Sequence, residues 1–298
     1  MQFLKDFDTI IQYLSTAEPR ARVAVACPHD EHTCEAIAMA LDASIARFIL
    51  VGDPARIPFE ASAQVEIIAE PDTDAAAARA VALARAGEAD VVMKGLLNTD
   101  NMLRAVLNKE HGILPAGHVL THITAADIPG HDGLLFFSDA AVIPFPTQPQ
   151  LEAMTGYLAD VIRKTGIAEP RIALIHCTEK SSPKFPVTEA YAAVKAAAAE
   201  GAFGSVIVDG PMDLKTAVDP ESGIIKGIDS PIEGKANALI FPDIEAGNVF
   251  YKTLTWLTHC DNAGMLAGAA VPVVLPSRAD TSRSKLCSLA LAACSALL

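Results

Sequence analysis

The strongest constraint on the fold is a regular alternation of short apolar runs with longer segments that carry apolar residues at helical spacing. RVAVAC at 22–27 is followed by the helical pattern DEHTCEAIAMALDA at 30–43, and RFILVGD at 47–53 begins the next pair. A strand buried on both faces is a continuous apolar run, whereas a surface helix repeats every 3.6 residues. Strand–helix–strand repetition requires a mostly parallel sheet with helices on both faces. The sequence therefore predicts an α/β protein.

The alternation continues along the rest of the chain. Further strands are predicted at 64–70, 89–95, 171–177, 205–211, 237–242 and 270–278, and further helices at 72–87, 99–108, 150–166, 187–201, from about 247 to 260, and at 281–298. The segment 133–147 interrupts the rhythm, because two short strand-like runs meet at Ser138 and Asp139 and a cluster of prolines follows. Such a cluster is typical of a boundary, which we place at 146/147.

Charge, hydropathy and cysteine usage exclude several classes of function. The net charge is -13 and no Lys/Arg-rich stripe occurs, so a nucleic-acid partner is not expected. The longest apolar segments are shorter than the ~20 residues that a membrane span needs. None of the six cysteines forms a CxxC pair, a usage typical of a reducing compartment. We therefore expect a cytoplasmic protein without a membrane partner.

Ligands of open parallel sheets bind beyond the carboxyl ends of the strands, where loops lead into helix N-termini. Four predicted strand ends carry polar or glycine-bearing loops, which read KGLLNT, VDGPM, PDIEAGN and PSRADTS. In the last loop, Ser277 and Arg278 combine a hydroxyl and a guanidinium beside the N–H groups of a helix start. These groups suit an anion such as phosphate. An ordinary helix cap with a solvated arginine is the alternative.

Several segments resemble one known family. DGPM at 209–212, EGKANALIFPDIEAGNVFYKTL at 233–254 and VPVVLPSRAD at 271–280 are similar to motifs of the phosphate acetyl/butyryltransferase family, and NTDNMLRAVL at 98–107 and the segment 121–147 are similar to its N-terminal half. The resemblance runs from about residue 20 to the end. The sequences of the motifs are closer to those of the butyryl branch than to those of the acetyl branch.

The resemblance implies a fold, a reaction and an assembly. The fold would be that of the isocitrate/isopropylmalate dehydrogenases, with two α/β lobes around a central cleft and a terminal helix that returns to the first lobe. The lobes would then be 1–146 with 278–298, and 147–277. The reaction would be acyl-CoA plus phosphate in exchange with acyl phosphate plus coenzyme A, with coenzyme A as a substrate and no cofactor or metal. Family members commonly form homodimers, so a homodimer or higher homo-oligomer is expected.

The resemblance also assigns roles to individual residues. Ser277 would hydrogen-bond the thiol or the developing oxyanion, and Arg278 would bind the phosphoryl group. A second substrate-binding set comes from the NTDNMLR motif and comprises Asn98, Thr99 and Arg104. Direct transfer without a covalent acyl-enzyme is expected, since no cysteine lies in the motif loops.

Two positions depart from the family pattern. Acetyl-branch members carry an aspartate seven residues after the serine, proposed as the general base, and this chain has Ser284 there. Asp280 is the only carboxylate in that loop, so it is the candidate base. In the family, the DGP motif is usually followed by an aspartate. This chain has Lys215 at the position of that aspartate.

The PDIEAGN loop contributes four more candidate substrate-binding residues, which are Asp243, Glu245, Gly247 and Asn248. Carboxylates just before a helix, predicted to begin near Gly247–Asn248, interact well with its positive end. Gly247 would permit a tight turn or a close approach of the backbone to a ligand. We expect the two carboxylates to order the loop, and a direct catalytic or metal-binding role is the alternative.

Two other functions fit part of the pattern. A metal-dependent decarboxylating dehydrogenase of related fold would use Asp243 and Glu245 for its metal, and a non-catalytic protein would bind coenzyme A or acyl phosphate without turnover. The length of the acyl chain does not follow from the sequence, because pocket walls come from scattered residues.

Overall fold

The computed structural model describes residues 3–298, in which ten α-helices alternate with eleven β-strands. The helices are α1 (Phe7–Thr16), α2 (Glu31–Asp42), α3 (Thr73–Arg85), α4 (Thr99–Val106), α5 (Gln148–Lys164), α6 (Val187–Ala199), α7 (Leu214–Val218), α8 (Pro220–Lys226), α9 (Ile244–Thr258) and α10 (Ser282–Leu297). The strands are β1 (Ala21–Ala26), β2 (Ala46–Gly52), β3 (Val65–Ala69), β4 (Val91–Lys94), β5 (Thr121–Asp127), β6 (Leu135–Ser138), β7 (Arg171–Ile175), β8 (Ile207–Met212), β9 (Ala238–Ile240), β10 (Asp261–Ala267) and β11 (Val273–Val274).

The chain divides into two compact units. Unit A comprises residues 6–120 and 261–298, and unit B comprises residues 3–5 and 121–260. These boundaries differ from the predicted ones at 146/147 and 277/278. The reason is that β6 pairs with β9, which ties the segment around 121–146 to the elements that follow it. The proline cluster instead marks the start of α5, whose N-cap is Thr147.

Unit A contains a sheet with the strand order β3-β2-β1-β4-β11-β10. All neighbouring pairs are parallel except β10 with β11. The four residues of β4 are all buried, as expected for a parallel strand covered on both faces. Helix α10 is apolar around most of its circumference and is almost entirely buried in this unit. The predicted α/β class and the mostly parallel sheet are confirmed.

Unit B contains the strand order β5-β6-β9-β7-β8, with β5 antiparallel to β6 and the other pairs parallel. Its core includes Phe137 and Phe241, against which Phe250, Tyr251 and Leu254 of α9 pack. Only one of the two strand-like runs in 133–147 forms a strand, because the Asp139 carboxylate accepts the amide N–H groups of residues 141 and 142 and turns the chain there.

Trp256 of α9 is exposed. Its helical spacing from apolar neighbours is typical of a core position, but 74% of the residue is accessible to solvent. The core-facing stripe of α9 runs through the buried Gly247 and the partly buried Tyr251 and Leu254, and Trp256 lies on another face of the helix. Within residues 3–298, no helix is both long and apolar enough to cross a bilayer.

Candidate active site

Three strand ends meet at one edge of the unit A sheet. β1 and β11 flank β4, with Ala26 in register with Lys94 and Val274 in register with Met93. The strand order also reverses at β1, since β2 and β3 extend the sheet to one side and β4 to the other. Such a switch point is where open α/β sheets bind ligands. The loops after these three strands therefore border the same part of the surface.

Gly95 brings the ends of β1 and β4 into close contact. Its N–H donates to the carbonyl of Ala26 at 2.8 Å, and the next amide, of Leu96, donates to the carbonyl of Cys27 at 2.7 Å. A Cβ atom at position 95 would lie 2.2 Å from the Cys27 oxygen, so only glycine fits. The loop after β4 is thus held firmly beside the loop after β1.

A cavity of about 150 Å³ opens at this edge. Its walls come from the loops after the three strands and from the first turns of α2 and α10. The lining residues are Asp30, Glu31, His32, Lys94, Gly95, Leu96, Pro276, Ser277, Arg278 and Lys285. The predicted Ser277–Arg278 pair is therefore part of a cavity wall, together with two lysines.

The loop that carries the pair is closed by hydrogen bonds. The Ser277 amide N–H donates to Oδ2 of Asp280 at 2.7 Å, and the Asp280 amide N–H donates back to the Ser277 carbonyl at 3.1 Å. Oγ of Ser277 accepts from the amide of Ala279 at 3.4 Å. Thr281 then caps α10 by accepting the N–H of Ser284 at 3.1 Å. The Asp280 carboxylate thus shapes the loop, and Ser284 serves the start of the helix.

Arg278 is oriented by the NTDNMLR segment. Its Nη2 donates to Oδ1 of Asn98 at 2.8 Å. Asn98 occupies the N-cap position of α4, yet its side chain makes no capping bond, because its oxygen is used by the guanidinium. The structure therefore brings Asn98 together with the Ser277–Arg278 pair.

The other two residues predicted from this segment do not line the cavity. Arg104 lies in the last turn of α4, where its Nη1 is 3.7 Å from Oδ2 of Asp74 on α3 and its side chain is 70% exposed. Thr99 is the exposed first residue of the helix. Since three to four helical positions separate neighbours on one face, Thr99 and Arg104, five apart, do not share a face.

Two buried lysines also line the cavity, and Lys285 was missed as a site residue from the sequence. Lys94 is 3% exposed and Lys285 is 2% exposed. Nζ of Lys285 donates to Oδ1 of Asp30 at 2.8 Å and to Oγ1 of Thr33 at 3.0 Å. The signal available was a lysine inside an otherwise apolar terminal helix, which requires a buried partner.

Asp30 serves two partners at once. It is the N-cap of α2, and the same Oδ1 accepts the N–H of Thr33 at 2.9 Å and the ammonium of Lys285. Burial acts to raise the pKa of Asp30, but the hydrogen bonds from Lys285 and Thr33 outweigh it and lower that pKa below its ordinary value. The carboxylate therefore stays ionised at neutral pH and balances one of the lysines.

The remaining candidates lie in unit B, at the end of β9. Asp243 is the N-cap of α9 and accepts the N–H of Ala246 at 2.8 Å, so the helix begins at Ile244 and not near Gly247–Asn248 as predicted. Glu245 is in the first turn, where a negative charge interacts well with the helix dipole. Both carboxylates therefore stand where they order the helix start.

Gly247 and Asn248 face protein backbone within unit B. A Cβ atom on Gly247 would lie 2.1 Å from the carbonyl oxygen of Asp139, which explains the glycine by contact with a neighbouring loop. Nδ2 of Asn248 donates to the carbonyl of Ala140 at 3.0 Å. In unit B the two residues thus fix α9 against the 139–140 loop.

A model of the phosphate acetyl/butaryl transferase family matches residues 61–293. The chain belongs to this family. The phosphate butyryltransferase of Clostridium acetobutylicum is 39% identical, over 97% of this chain and 98% of that relative. The phosphate acetyltransferase of Rhizobium meliloti is 38% identical, over 93% of this chain and 89% of that relative.

Solved structures agree with this family membership. A branched-chain phosphotransacylase from Enterococcus faecalis has a TM-score of 0.82 at 28% identity, and the match covers 93% of this chain and 99% of that one. The predicted family is therefore confirmed, and the α/β fold is that of the phosphotransacylases.

Two carboxylates, one in the DGP motif and one shortly after it, form ion pairs. Asp209 pairs with Lys195 and accepts from Oγ of Ser230 at 2.6 Å. Asp213, the N-cap of α7, pairs with Lys226. Burial acts to raise the pKa of Asp213, but the hydrogen bonds from Lys226 and from the Thr216 backbone lower it to about 2.

Lys215, which departs from the family pattern, lies apart from this ion pair. It is exposed on α7, and its Nζ is 3.6 Å from Oδ2 of Asp219. Within residues 3–298, no group of three or more His, Cys, Asp or Glu side chains is arranged to hold a metal ion.

The cap of α9 gives a stability prediction. We expect Asp243→Ala to lower the free energy of unfolding by about 1 kcal/mol, because the N–H of Ala246 loses its acceptor. Asp243→Asn keeps a capping oxygen and is expected to stay within a few tenths of a kcal/mol of the original protein. Urea denaturation of the three proteins measures both values. Equal losses in the two variants would show that the charge, and not the cap, stabilises this helix.

Proposed function

We propose that the protein transfers a short acyl group, butyryl or another short chain with acetyl possible, between coenzyme A and inorganic phosphate. The observation that carries the proposal is the Ser277–Arg278 pair in the wall of a cavity that also contains two buried lysines. Membership of the phosphate acetyl/butaryl transferase family supports an acyltransferase. The comparisons support neither the dehydrogenase nor the non-catalytic alternative.

The proposed step is a direct transfer within a ternary complex. A phosphate oxygen attacks the thioester carbonyl, the tetrahedral oxyanion collapses, and the carbon–sulfur bond breaks to release the coenzyme A thiolate. In reverse, the thiolate attacks the carbonyl of the acyl phosphate, and phosphate leaves. Holding both substrates together removes the entropy cost of a bimolecular encounter, and fixed donors stabilise the oxyanion. Neither direction requires a cofactor.

Ser277 and Arg278 take the central roles in this proposal. Oγ of Ser277 accepts one hydrogen bond, and a hydroxyl that accepts can still donate to a thiolate or an oxyanion. Arg278 uses Nη2 for Asn98, and the guanidinium has further N–H donors for a phosphoryl group. Asn98 therefore acts by orienting Arg278. Asp280, the carboxylate of this loop, is the proposed base for the thiol.

The wider set of substrate contacts is also part of the proposal. Thr99 and Arg104 would bind coenzyme A, whose size exceeds that of the cavity. The resemblance to isocitrate/isopropylmalate dehydrogenases supports two lobes around a cleft, and Asp243, Glu245, Gly247 and Asn248 would act from the second lobe. The dimers that members of this family commonly form support a homodimer or higher homo-oligomer. The absence of CxxC pairs among the cysteines supports a cytoplasmic location.

A thiol-release assay tests the function. Purified protein is mixed with acetyl-, propionyl- or butyryl-CoA, and free thiol is measured with and without phosphate. We expect release that depends on phosphate, with the largest kcat/KM for the chain length that fits the pocket. Thiol release at equal rates without phosphate, or none with any of the three thioesters, would contradict the proposal. Tight coenzyme A binding without release would favour the non-catalytic alternative.

A further inference from the structure

Lys94 is a buried cation without a carboxylate partner. Within residues 3–298, no carboxylate oxygen lies within 4 Å of its Nζ. The ammonium contacts two backbone carbonyls, of Gly95 and Leu97, both at 3.3 Å, which is long for a charge-assisted bond. Because the Lys94 residue is only 3% exposed, its ammonium, with two long contacts, is incompletely solvated.

The charges around Lys94 do not balance it. Lys285, on α10, is already paired with Asp30. Arg278 and Asp280, on the loop after β11, contribute one charge of each sign, and Asp280 is engaged by the Ser277 amide. Burial is the largest cause that lowers the pKa of Lys94, and the positive charges of Lys285 and Arg278 lower it further, against the opposing effect of Asp30 and Asp280.

Two more titratable groups line the same cavity. Glu31 and His32 lie in the first turn of α2, and both are exposed at its rim. Nδ1 of His32 is 3.2 Å from Oγ of Ser282 and 3.7 Å from a carboxylate oxygen of Glu35. Both contacts involve Nδ1 of His32, and they are made to side chains that are not among the cavity-lining residues. Lys94 therefore remains the interior cation that lacks a counter-charge.

The cavity has the size and composition for a small oxyanion. Its volume of about 150 Å³ is roughly five times the volume that one water molecule occupies in the liquid. A tetrahedral oxyanion has five heavy atoms, and each of its oxygens accepts hydrogen bonds. Lys94 and Arg278 both line this cavity, so its wall includes a lysine and an arginine that can each bind an anion.

We propose that Lys94 is a second phosphate-binding cation, whose ammonium holds the same oxyanion that the Arg278 guanidinium binds. This inference rests on the proposed function and adds a residue to its phosphate site. The oxyanion supplies the counter-charge that the protein lacks around Lys94, and its binding favours the charged form of the amine. Binding of the anion is therefore coupled to uptake of a proton.

Lys94→Met tests the proposal, because it keeps an unbranched side chain one heavy atom shorter and removes the charge. We expect the Kd for inorganic phosphate, measured by titration calorimetry, to rise by about 10- to 100-fold, the loss of one charge-assisted hydrogen bond. The KM for acyl-CoA is expected to change little. Lys109→Met removes the same charge from an exposed side chain of unit A and is expected to leave the phosphate Kd unchanged.

Proton uptake gives a second readout on the unaltered protein. Sulfate does not titrate near neutral pH, so any protons taken up from the buffer when it binds are bound by groups of the protein. Calorimetry in two buffers of different ionisation enthalpy, from pH 7 up to the ordinary lysine pKa of ~10.4, is expected to show uptake that grows as the pH rises, because the pKa of Lys94 is lowered. An ordinary histidine has a pKa of ~6.5 and would show the opposite trend. This readout remains if Lys94→Met does not fold.

The outcomes separate the two proposals. A folded Lys94→Met protein with the original phosphate Kd, or sulfate binding without proton uptake at any pH up to the ordinary lysine pKa of ~10.4, overturns the role of Lys94. An unchanged phosphate Kd with a lost limb in the pH profile of kcat would make Lys94 a base instead. Absence of phosphate-dependent thiol release in the original protein contradicts the proposed function, whatever the Kd values are.

Discussion

Arg278→Ala is expected to lower kcat/KM for phosphate-dependent thiol release by about 10²- to 10³-fold, with the fold intact. That loss is typical when one preorganised donor to a developing charge is removed. The guanidinium is exposed at the cavity and its one described protein bond is to Asn98, so alanine leaves no buried group without a partner. Steady-state kinetics with saturating acyl-CoA and varied phosphate measures the effect.

Arg79→Ala is the matched control for this variant. Arg79 is exposed on α3, in the same unit, and alanine is the best helix former, so its rates are expected to match those of the original protein. Asn98→Ala is expected to give a smaller loss than Arg278→Ala, since Asn98 only orients the guanidinium. Near-normal turnover in Arg278→Ala would remove the assignment of phosphate to this residue.

Asp30→Asn is expected to lower the free energy of unfolding by about 3 kcal/mol. Asparagine caps a helix as well as aspartate does, so the start of α2 is preserved. The loss comes from Lys285, whose buried ammonium would lose its counter-charge and keep only neutral acceptors, the amide oxygen at position 30 and the hydroxyl of Thr33. Removing one partner of a buried ion pair costs about 3–5 kcal/mol, and the partial exposure of Asp30 places it at the low end.

Asp72→Asn provides the control for the cap alone. Asp72 is the exposed N-cap of α3, and it accepts the N–H groups of Asp74 and Ala75 without a lysine partner. Its variant is expected to change stability by less than about 0.5 kcal/mol. Equal effects of the two substitutions would contradict the importance of the Asp30–Lys285 pair.

The pH dependence of the same difference has a defined sign. Because the folded-state pKa of Asp30 is lowered, its contribution is fully present above the ordinary aspartate pKa of ~3.9. The contribution is lost as the pH falls through the folded-state value. The stability gap between the original protein and Asp30→Asn is therefore expected to be constant near neutrality and to close in acid.

The order of helices and strands was largely predictable, because parallel strands buried on both faces are continuous apolar runs. The residues of β4 illustrate this, since all four are buried. The strand β10 was missed, because its sequence DNAGMLA mixes polar residues and glycine and lacks such a run. The division into units was also predicted at other positions, since the pairing of β6 with β9 leaves no local mark in the sequence.

The candidate site was predictable where its chemistry is local. Ser277 and Arg278 are adjacent in one loop after a strand, and that loop alone suggested an anion site. The pair of Asp30 and Lys285 joins residues 255 positions apart, so no spacing rule reaches it. Lys94 is next to a glycine at a strand end, and only the structure distinguishes its buried ammonium from a solvated one.

The discontinuity of unit A has a consequence for biosynthesis. Asp30 and Lys94 leave the ribosome long before Ser277, Arg278 and Lys285 do, because all of unit B from residue 121 is translated in between. At about 5–20 residues per second, roughly ten to forty seconds separate the synthesis of the two parts of the cavity. During that interval Asp30 lacks its lysine, and the nascent chain contains only part of the cavity wall.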